Sequence, residues 1–479
     1  MAFPDSVLHA LAARPEHVAV EDGDLAVTGG ELLRMIGTIA RGLRSSGIGP
    51  GSGVAMELGV SAEAVAAYFA GYTVGCRVIG VHPGYSAPQR RHVLSRGVDA
   101  VLTGDRVAEL LRGEAADPVV LARPDDVARV AYTSGSTGRP KGCMQTYKAL
   151  SSHWSWDVEN WCADTVELAR CTGRYLLFGT LASAVVQDYL ALCLLSGGTA
   201  VIPRLPAAGE GPLFPGVFER LRASATIMNV PRLYQMLDAL RTAEYDMSSV
   251  AAIMVAGSPL PAHRLAEAVE LLGPVVYSSY GLTETGGLTA LTPTDIAQGV
   301  LGSVGRPLPS VEVDIRDGEI YVRTQYQMCG YFDEPELTAE TLTADGFVRT
   351  RDLGKLEDGY LSLTGRAREI IIVDALPVYA GPIERLLAAQ EDVDQAYVIG
   401  APSDQRGEAV HAFLVPRPGH SLDHAGLRQA VRADLGELSV PETITQLAEV
   451  PVAASGKPDK AALLGLLRGG VPEAASRDH

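Results

Sequence analysis

Between Val54 and Thr103 short apolar runs alternate with helical stretches: GVAMEL, SAEAVAAYFAGYTVG, RVIGVHP, SAPQRRHVLSRG and AVLTG. Parallel strands buried on both faces read as continuous apolar runs joined by crossover helices, so this text predicts an α/β layer with a parallel sheet. The rhythm resumes in LALCLLSGGTAVIPR, TIMNVPRLYQMLDAL and SVAAIMVAGSPLPAHRLAEAVELLG. From about Ser303 it gives way to short strands, and RDGE and EDGY each place Asp-Gly where a hairpin turn belongs. Past Gly365 the order strand, helix, strand, strand, helix predicts a small α+β domain with its own core. The expected organisation is a large α/β body over residues 1–365, with a β-rich subdomain at about 303–365, and a smaller domain over 366–479.

Composition narrows the function. With 479 residues, 47% hydrophobic and 20% charged, the chain has enough apolar surface for several cores and the balance of a globular protein. A formal net charge of −17, with no run of Lys or Arg to offset it, repels polyanions and argues against nucleic acid or an anionic membrane as a partner. The opening MAFPDSVLHALAARPEH lacks a basic start followed by an apolar core, and no later run has the apolar length of a bilayer span, so a cytoplasmic location is expected. The six cysteines are scattered without a CxxC pair, which reads as small buried hydrophobes rather than a zinc site.

The chemistry concentrates in a few stretches. VARVAYTSGSTGRPKGCMQTYKAL reads as strand, glycine-hydroxyl loop, then helix. Such a loop turns backbone N–H groups and hydroxyls toward a polyphosphate, and Lys141 adds a point charge. It is not a Walker A loop, because Gly142 follows the lysine where Ser or Thr is required.

The segment Thr133-Ser134-Gly135-Ser136-Thr137-Gly138-Arg139-Pro140-Lys141-Gly142 resembles the signature loop of the adenylate-forming superfamily, which includes acyl-CoA synthetases, peptide-synthetase adenylation domains and luciferases. Companion segments follow in order. Tyr280-Gly281-Leu282-Thr283-Glu284 is similar to the family's YGxTE, and the resemblance implies that Tyr280 flanks the adenine, Thr283 holds the α-phosphate and Glu284 ligates magnesium. Gly257-Ser258-Pro259 resembles the turn beside the adenine. Thr350-Arg351-Asp352 stands in the place of the family's TGD, with Asp352 toward the ribose and Arg351 in place of the glycine. Gly365-Arg366 matches the pair that contacts the nucleotide, Arg368 falls at the hinge of a mobile C-terminal domain, and Lys457 in SGKPDK takes the catalytic lysine's place. The implied cofactors are ATP and Mg2+, and the implied reaction is adenylation of a small-molecule carboxylic acid.

Two departures from the family pattern bear on the acyl acceptor. Ile372 and Ala375 stand where a CoA ligase has a lysine and a glycine beside the pantetheine path, and Ala380 and Pro382 replace a usual proline and glutamate. An added Cβ where backbone approaches closely obstructs such a path. At the acyl pocket an aromatic-His pair becomes Phe178-Gly179, followed by Thr180, and the lost imidazole suits a bulky flat acid. Trp154, Trp156, Phe178 and Tyr189 are candidate pocket aromatics, or ordinary core. Asp188, flanked by apolar residues, either lies on a helix surface or meets a cation; its sharper reading is an anchor or base for an amine. The sequence therefore reads as an AMP-forming ligase that passes an aromatic or bulky acyl group to an amine. An acyl-CoA ligase, a carrier-protein loader and a non-catalytic nucleotide binder are the alternatives.

Overall fold

The computed structural model describes residues 2–133, 140–206, 212–258, 260–366, 370–374, 376–403, 406–453 and 458–469. Contacts divide the chain into two compact units, Met1–Leu260 with Arg264–Asp314 and Tyr321–Thr350, and Pro261–His263 with Ile315–Ile320 and Arg351–His479.

Two large sheets form the body of the first unit. In one, strands Ala100–Thr103, Gly53–Glu57, Arg77–Gly80 and Val127–Thr133 run parallel, as the alternation predicts, and Lys141–Thr146 and Gly330–Tyr331 close its far edge antiparallel. The other runs Val276–Ser278, Ala252–Ala256, Ala225–Asn229, Arg174–Leu176, Thr199–Ile202 and Val18–Asp22 in parallel, with Leu25–Thr28 antiparallel at the end. Helices Ala62–Thr73 and Ala184–Ser196 are buried on nearly every face, and one apolar core joins them to strands of both sheets through Val54, Val78, Ala200 and Ile202. A helix without a polar face belongs in such an interior. Asp188 is therefore not on a helix surface: it is 3% exposed within Ala184–Ser196, and the surface reading is corrected.

Both predicted Asp-Gly turns form. Asp317 and Gly318 have φ of 50° and 79°, and Asp358 and Gly359 have 51° and 81°, the left-handed pair that matches the twist of a two-residue hairpin. In the second unit, strands Val393–Ser403 and Gly407–Pro416 form a long antiparallel pair, and the other edge of Gly407–Pro416 takes the hairpin Ile370–Val373 and Leu376–Tyr379 at Gly407 and, further along, the parallel strand Thr443–Gln446, which the sequence pattern does not announce. Helices Ala380–Ala388 and His424–Leu435 cover this sheet through Ile383, Leu387, Leu427 and Val431. Among the described residues no helix is long and apolar enough to cross a membrane. All six cysteines are free; Cys76, Cys143 and Cys193 are buried and Cys329 is exposed.

Candidate active site

The loop of hydroxyls and glycines joins two strands rather than a strand and a helix. Val127–Thr133 and Lys141–Thr146 are antiparallel, with Thr133 opposite Lys141 and Tyr132 opposite Gly142, and the helix Tyr147–Ser151 begins only afterwards. Thr133 and Lys141 thus form the last described rung before residues 134–139, and a strand rather than a helix follows them, which corrects the strand–loop–helix expectation. Ser134, Gly135, Ser136, Thr137 and Gly138 lie outside the described residues, as do Arg368 and Lys457.

YGLTETGG forms a very tight hairpin. Gly281-Leu282 pairs with Gly286-Gly287, which leaves Thr283, Glu284 and Thr285 at the tip. Glycine is required at 281, because a Cβ there would collide with the Gly286 carbonyl oxygen across the pair. The base of the hairpin is fixed by Tyr280, whose carbonyl accepts from the Leu288 N–H at 2.8 Å and the Thr289 N–H at 3.2 Å. Thr285 is buried, and its hydroxyl closes the turn by accepting from the Leu282 N–H at 3.3 Å.

A second segment clamps that tip. The Tyr331 hydroxyl donates to Glu284 Oε1 at 2.6 Å, and the Met328 N–H donates to the Glu284 carbonyl at 2.8 Å. Burial, then the neighbouring Glu284 charge, pushes the Tyr331 phenol well above its usual range, so it stays a donor. The same segment is stitched to the strand that starts at Lys141: Cys329 N–H donates to the Met144 carbonyl and Phe332 N–H to the Gly142 carbonyl, both at 2.8 Å. Residues 326–332 thereby bridge the strand that starts at Lys141 and the hairpin carrying Thr283 and Glu284. Neither tyrosine nor segment stands out in the sequence, since the contact joins residues 47 positions apart.

Beneath the hairpin lies a buried polar network. Arg129 Nη1 donates to Asp188 Oδ1 at 3.2 Å, with both side chains almost wholly enclosed, so Asp188 meets a cation as the sequence reading allowed. The Trp156 indole donates to the same oxygen at 3.2 Å. Asp188 Oδ2 faces the ring of His153, whose Nε2 lies 3.6 Å away, beyond hydrogen-bond reach. Burial strips His153 of water and pushes its pKa down to about 4, so the ring is neutral at physiological pH. Its Nδ1 is tied to the Ser155 hydroxyl at 2.9 Å. The Asp188 carboxylate, 3% exposed and committed to Arg129 and Trp156, is not presented to a free amine. Arg129 was legible in retrospect: a lone charge within VARVAYT mirrors the lone Asp188 in its apolar helix.

The pocket candidates separate. Tyr189 packs edge-on against Trp154 with centroids 5.6 Å apart, beside this network. Trp156 is core, 2% exposed and edge-on to Phe3 at 4.8 Å. Phe178 packs against Phe214 at 5.0 Å and lies under the Arg232 guanidinium at 4.8 Å. Gly179, with φ of 95°, is exposed, and a Cβ there would meet nothing within 4 Å; Thr180 caps the following turn by accepting from the Ala182 N–H at 3.1 Å. Gly257, with φ of 97°, turns the chain after strand Ala252–Ala256, and Ser258 follows it in the same bend.

In the second unit Asp352 is 3% exposed on strand Val348–Glu357, opposite Arg366 in register. Arg351 has φ of 62°, the left-handed conformation glycine favours, at the position where the family pattern has glycine.

Residues 7–332 match the AMP-binding enzyme family and residues 382–457 the AMP-binding enzyme C-terminal domain. Among solved structures, the amide bond synthetase McbA from Marinactinospora thermotolerans is 30% identical with a TM-score of 0.80, over 96% of this chain and 99% of that one. The O-succinylbenzoate coenzyme A synthetase from Bacillus subtilis, in complex with ATP and magnesium ion, is 25% identical with a TM-score of 0.77, over 96% and 98%. A feruloyl-CoA synthase from Amycolatopsis sp is 31% identical, over 92% of this chain and 94% of its own length.

Proposed function

Because the chain belongs to the AMP-binding enzyme family and is an ATP-dependent, AMP-forming ligase, we propose that it adenylates an aromatic or other bulky carboxylic acid and transfers the acyl group to an amine. The observation that carries the amide reading is the hairpin Ile370–Val373 and Leu376–Tyr379, where Ile372 is 45% exposed. An exposed apolar side chain stands where the CoA-ligase pattern has lysine, which removes a cation from the path of a phosphate-bearing thiol. The 30% identity to an amide bond synthetase supports the same reading. Thioester formation with CoA is the second reading, favoured by the likeness to a feruloyl-CoA synthase.

Adenylation brings a carboxylate against the α-phosphate of ATP, so the site must cover charge on phosphoryl oxygens. In this reading Lys141 and the loop hydroxyls hold the polyphosphate, Tyr280 and the Gly257-Ser258 turn border the adenine, Asp352 takes the ribose hydroxyls and Arg366 adds a contact near the hinge. Glu284 fits magnesium: it offers hard carboxylate oxygen at a half-buried hairpin tip. Magnesium characteristically takes one or two carboxylates plus substrate phosphates. Bound there, it would supply Lewis-acid cover for the phosphates. Thr283 would orient the α-phosphate, and a C-terminal domain pivoting at Arg368 would bring Lys457 to the reacting centre. Phe178, Gly179, Thr180 and Tyr189 would border the acid, and Asp188 acts by position rather than as the amine's base.

The test is one incubation of the purified protein with a panel of aryl acids, ATP and Mg2+, with either CoA or a simple amine, read by mass spectrometry. Amide and AMP are expected. A thioester without amide overturns the acceptor, and no AMP with any acid overturns adenylation. Lys457→Ala should lower adenylation by about a hundredfold to a thousandfold, the worth of one preorganised cation.

A further inference from the structure

The buried polar network continues past Arg129, and its far end is the hairpin that carries Thr283 and Glu284. Arg129 places two donors on one acceptor, Gln145 Oε1, from Nε at 3.0 Å and Nη2 at 2.7 Å. That double contact fixes the orientation of the amide, whose Nε2 donates to the Tyr326 carbonyl at 2.8 Å. The Tyr326 hydroxyl in turn donates to the Gly287 carbonyl at 2.8 Å. Gly287 is the residue opposite Gly281 in the hairpin. Arg129, Gln145, Asp188 and Tyr326 are 2%, 1%, 3% and 0% exposed, so water does not replace any link.

The hairpin rests directly on this array. A Cβ on Gly286 would lie 2.9 Å from His153 Nε2 and 3.3 Å from the Tyr326 ring, and one on Gly287 would lie 2.9 Å from Trp154 Nε1. The paired glycines let the backbone settle onto the three rings, and the hydroxyl of Tyr326 sets its height. A displacement of the hairpin moves Thr283 and Glu284 with it, because the three tip residues Thr283–Thr285 lie between Leu282 and Gly286, which pair with each other.

Resting on the adenylation reading above, we propose that Asp188, Arg129, Gln145 and Tyr326 form a buried relay that positions the Thr283–Glu284 tip for adenylation. None of the four touches substrate; they are positioning residues. A linear relay of this kind predicts coupling: once one link is cut, cutting another adds little. Independent packing roles would add.

The test uses Tyr326→Phe, which keeps the ring and deletes only the hydroxyl, Gln145→Met, and the double variant, each in the full chain. Two readouts are taken. Acid-dependent exchange of pyrophosphate into ATP measures adenylation, and deuterium exchange of peptides spanning residues 278–292 measures hairpin mobility without needing activity. For either single variant, kcat should fall about tenfold, the worth of one buried hydrogen bond, while the KM for acid changes less than about twofold. Hairpin amides should exchange faster, strand Ala252–Ala256 should not, and the double variant should match the worse single one. Unchanged hairpin exchange in Tyr326→Phe overturns the relay, as do additive effects on exchange. If the unaltered protein shows no pyrophosphate exchange with any acid, the adenylation reading fails by itself, and the deuterium measurement still decides whether the relay holds the hairpin.

Discussion

Replacing Asp188 by alanine separates a buried structural charge from an amine-binding one. Asp188 and Arg129 are 4% and 3% exposed at their side chains, 3.2 Å apart. Without the carboxylate, the guanidinium keeps Gln145 Oε1 and a 3.5 Å contact to the Ala184 carbonyl but loses its counter-charge, and the Trp156 indole loses its acceptor. Removing one member of a buried pair costs about 3–5 kcal/mol, because the survivor is left uncompensated in low dielectric. An orphaned indole N–H adds about 1 kcal/mol. Set against a typical domain stability of about 5–15 kcal/mol, this is a large fraction. Removing both charges together, as Arg129→Met with Asp188→Leu, takes away the desolvation penalty along with the attraction. The double variant should therefore recover about 2 kcal/mol or more of the single variant's loss. Urea unfolding followed by tryptophan fluorescence measures this, with Trp156 reporting from the site itself. A single variant within about 1 kcal/mol of the parent, with pyrophosphate exchange intact and a raised KM for amine, would refute the structural account and restore the direct amine role.

Two further outcomes follow from the same site. His153 has a folded pKa near 4, below the free value of 6.5, so its contribution is complete above pH 6.5 and is lost as pH falls from 6.5 toward 4. Stability at pH 5 should be lower than at pH 7.5 by about 2 kcal/mol from this group, and urea midpoints for His153→Gln should show that much less pH dependence. Gly281→Ala places a methyl against the Gly286 carbonyl, so it should cost about 1–3 kcal/mol in urea unfolding and abolish acid-dependent pyrophosphate exchange. Retained exchange in that variant would mean that the glycine hairpin does not set the tip.

The fold was legible where local rules decide it. Apolar runs at Val54, Arg77 and Ala100 formed neighbouring parallel strands because strands buried on both faces need no polar alternation. Asp317-Gly318 and Asp358-Gly359 turned where they should because both residues tolerate left-handed backbone. What escaped was settled by partners distant in sequence. KGCMQT, with a lysine, two small residues and a glutamine, carries no strand pattern, yet Lys141–Thr146 is a strand because Val127–Thr133 on one side and Gly330–Tyr331 on the other saturate its backbone. Reading that segment as loop and helix followed from propensity, and tertiary pairing overrode it. Thr443–Gln446 was missed for the same reason: one parallel neighbour defines it.

For the site, motif residues and supporting residues differ in how they can be read. Glu284 and Thr283 stand in a string of glycines and hydroxyls that has few uses apart from a tight turn, so their placement at a tip is written locally. What holds that tip is not. Tyr331, Met328 and Tyr326 reach it from one segment, and Arg129 reaches it through Gln145 and Tyr326, with sequence separations of 16 and 181 residues at those two hydrogen bonds. The trace such supports leave in a sequence is an anomaly without explanation: an arginine within VARVAYT, an aspartate within AVVQDYLALCLLS, a histidine between serine and tryptophan. Each is costly when buried alone and tolerable when paired. Two unexplained buried charges of opposite sign are therefore evidence for each other, and here they meet directly beneath the hairpin whose chemistry the motifs announce.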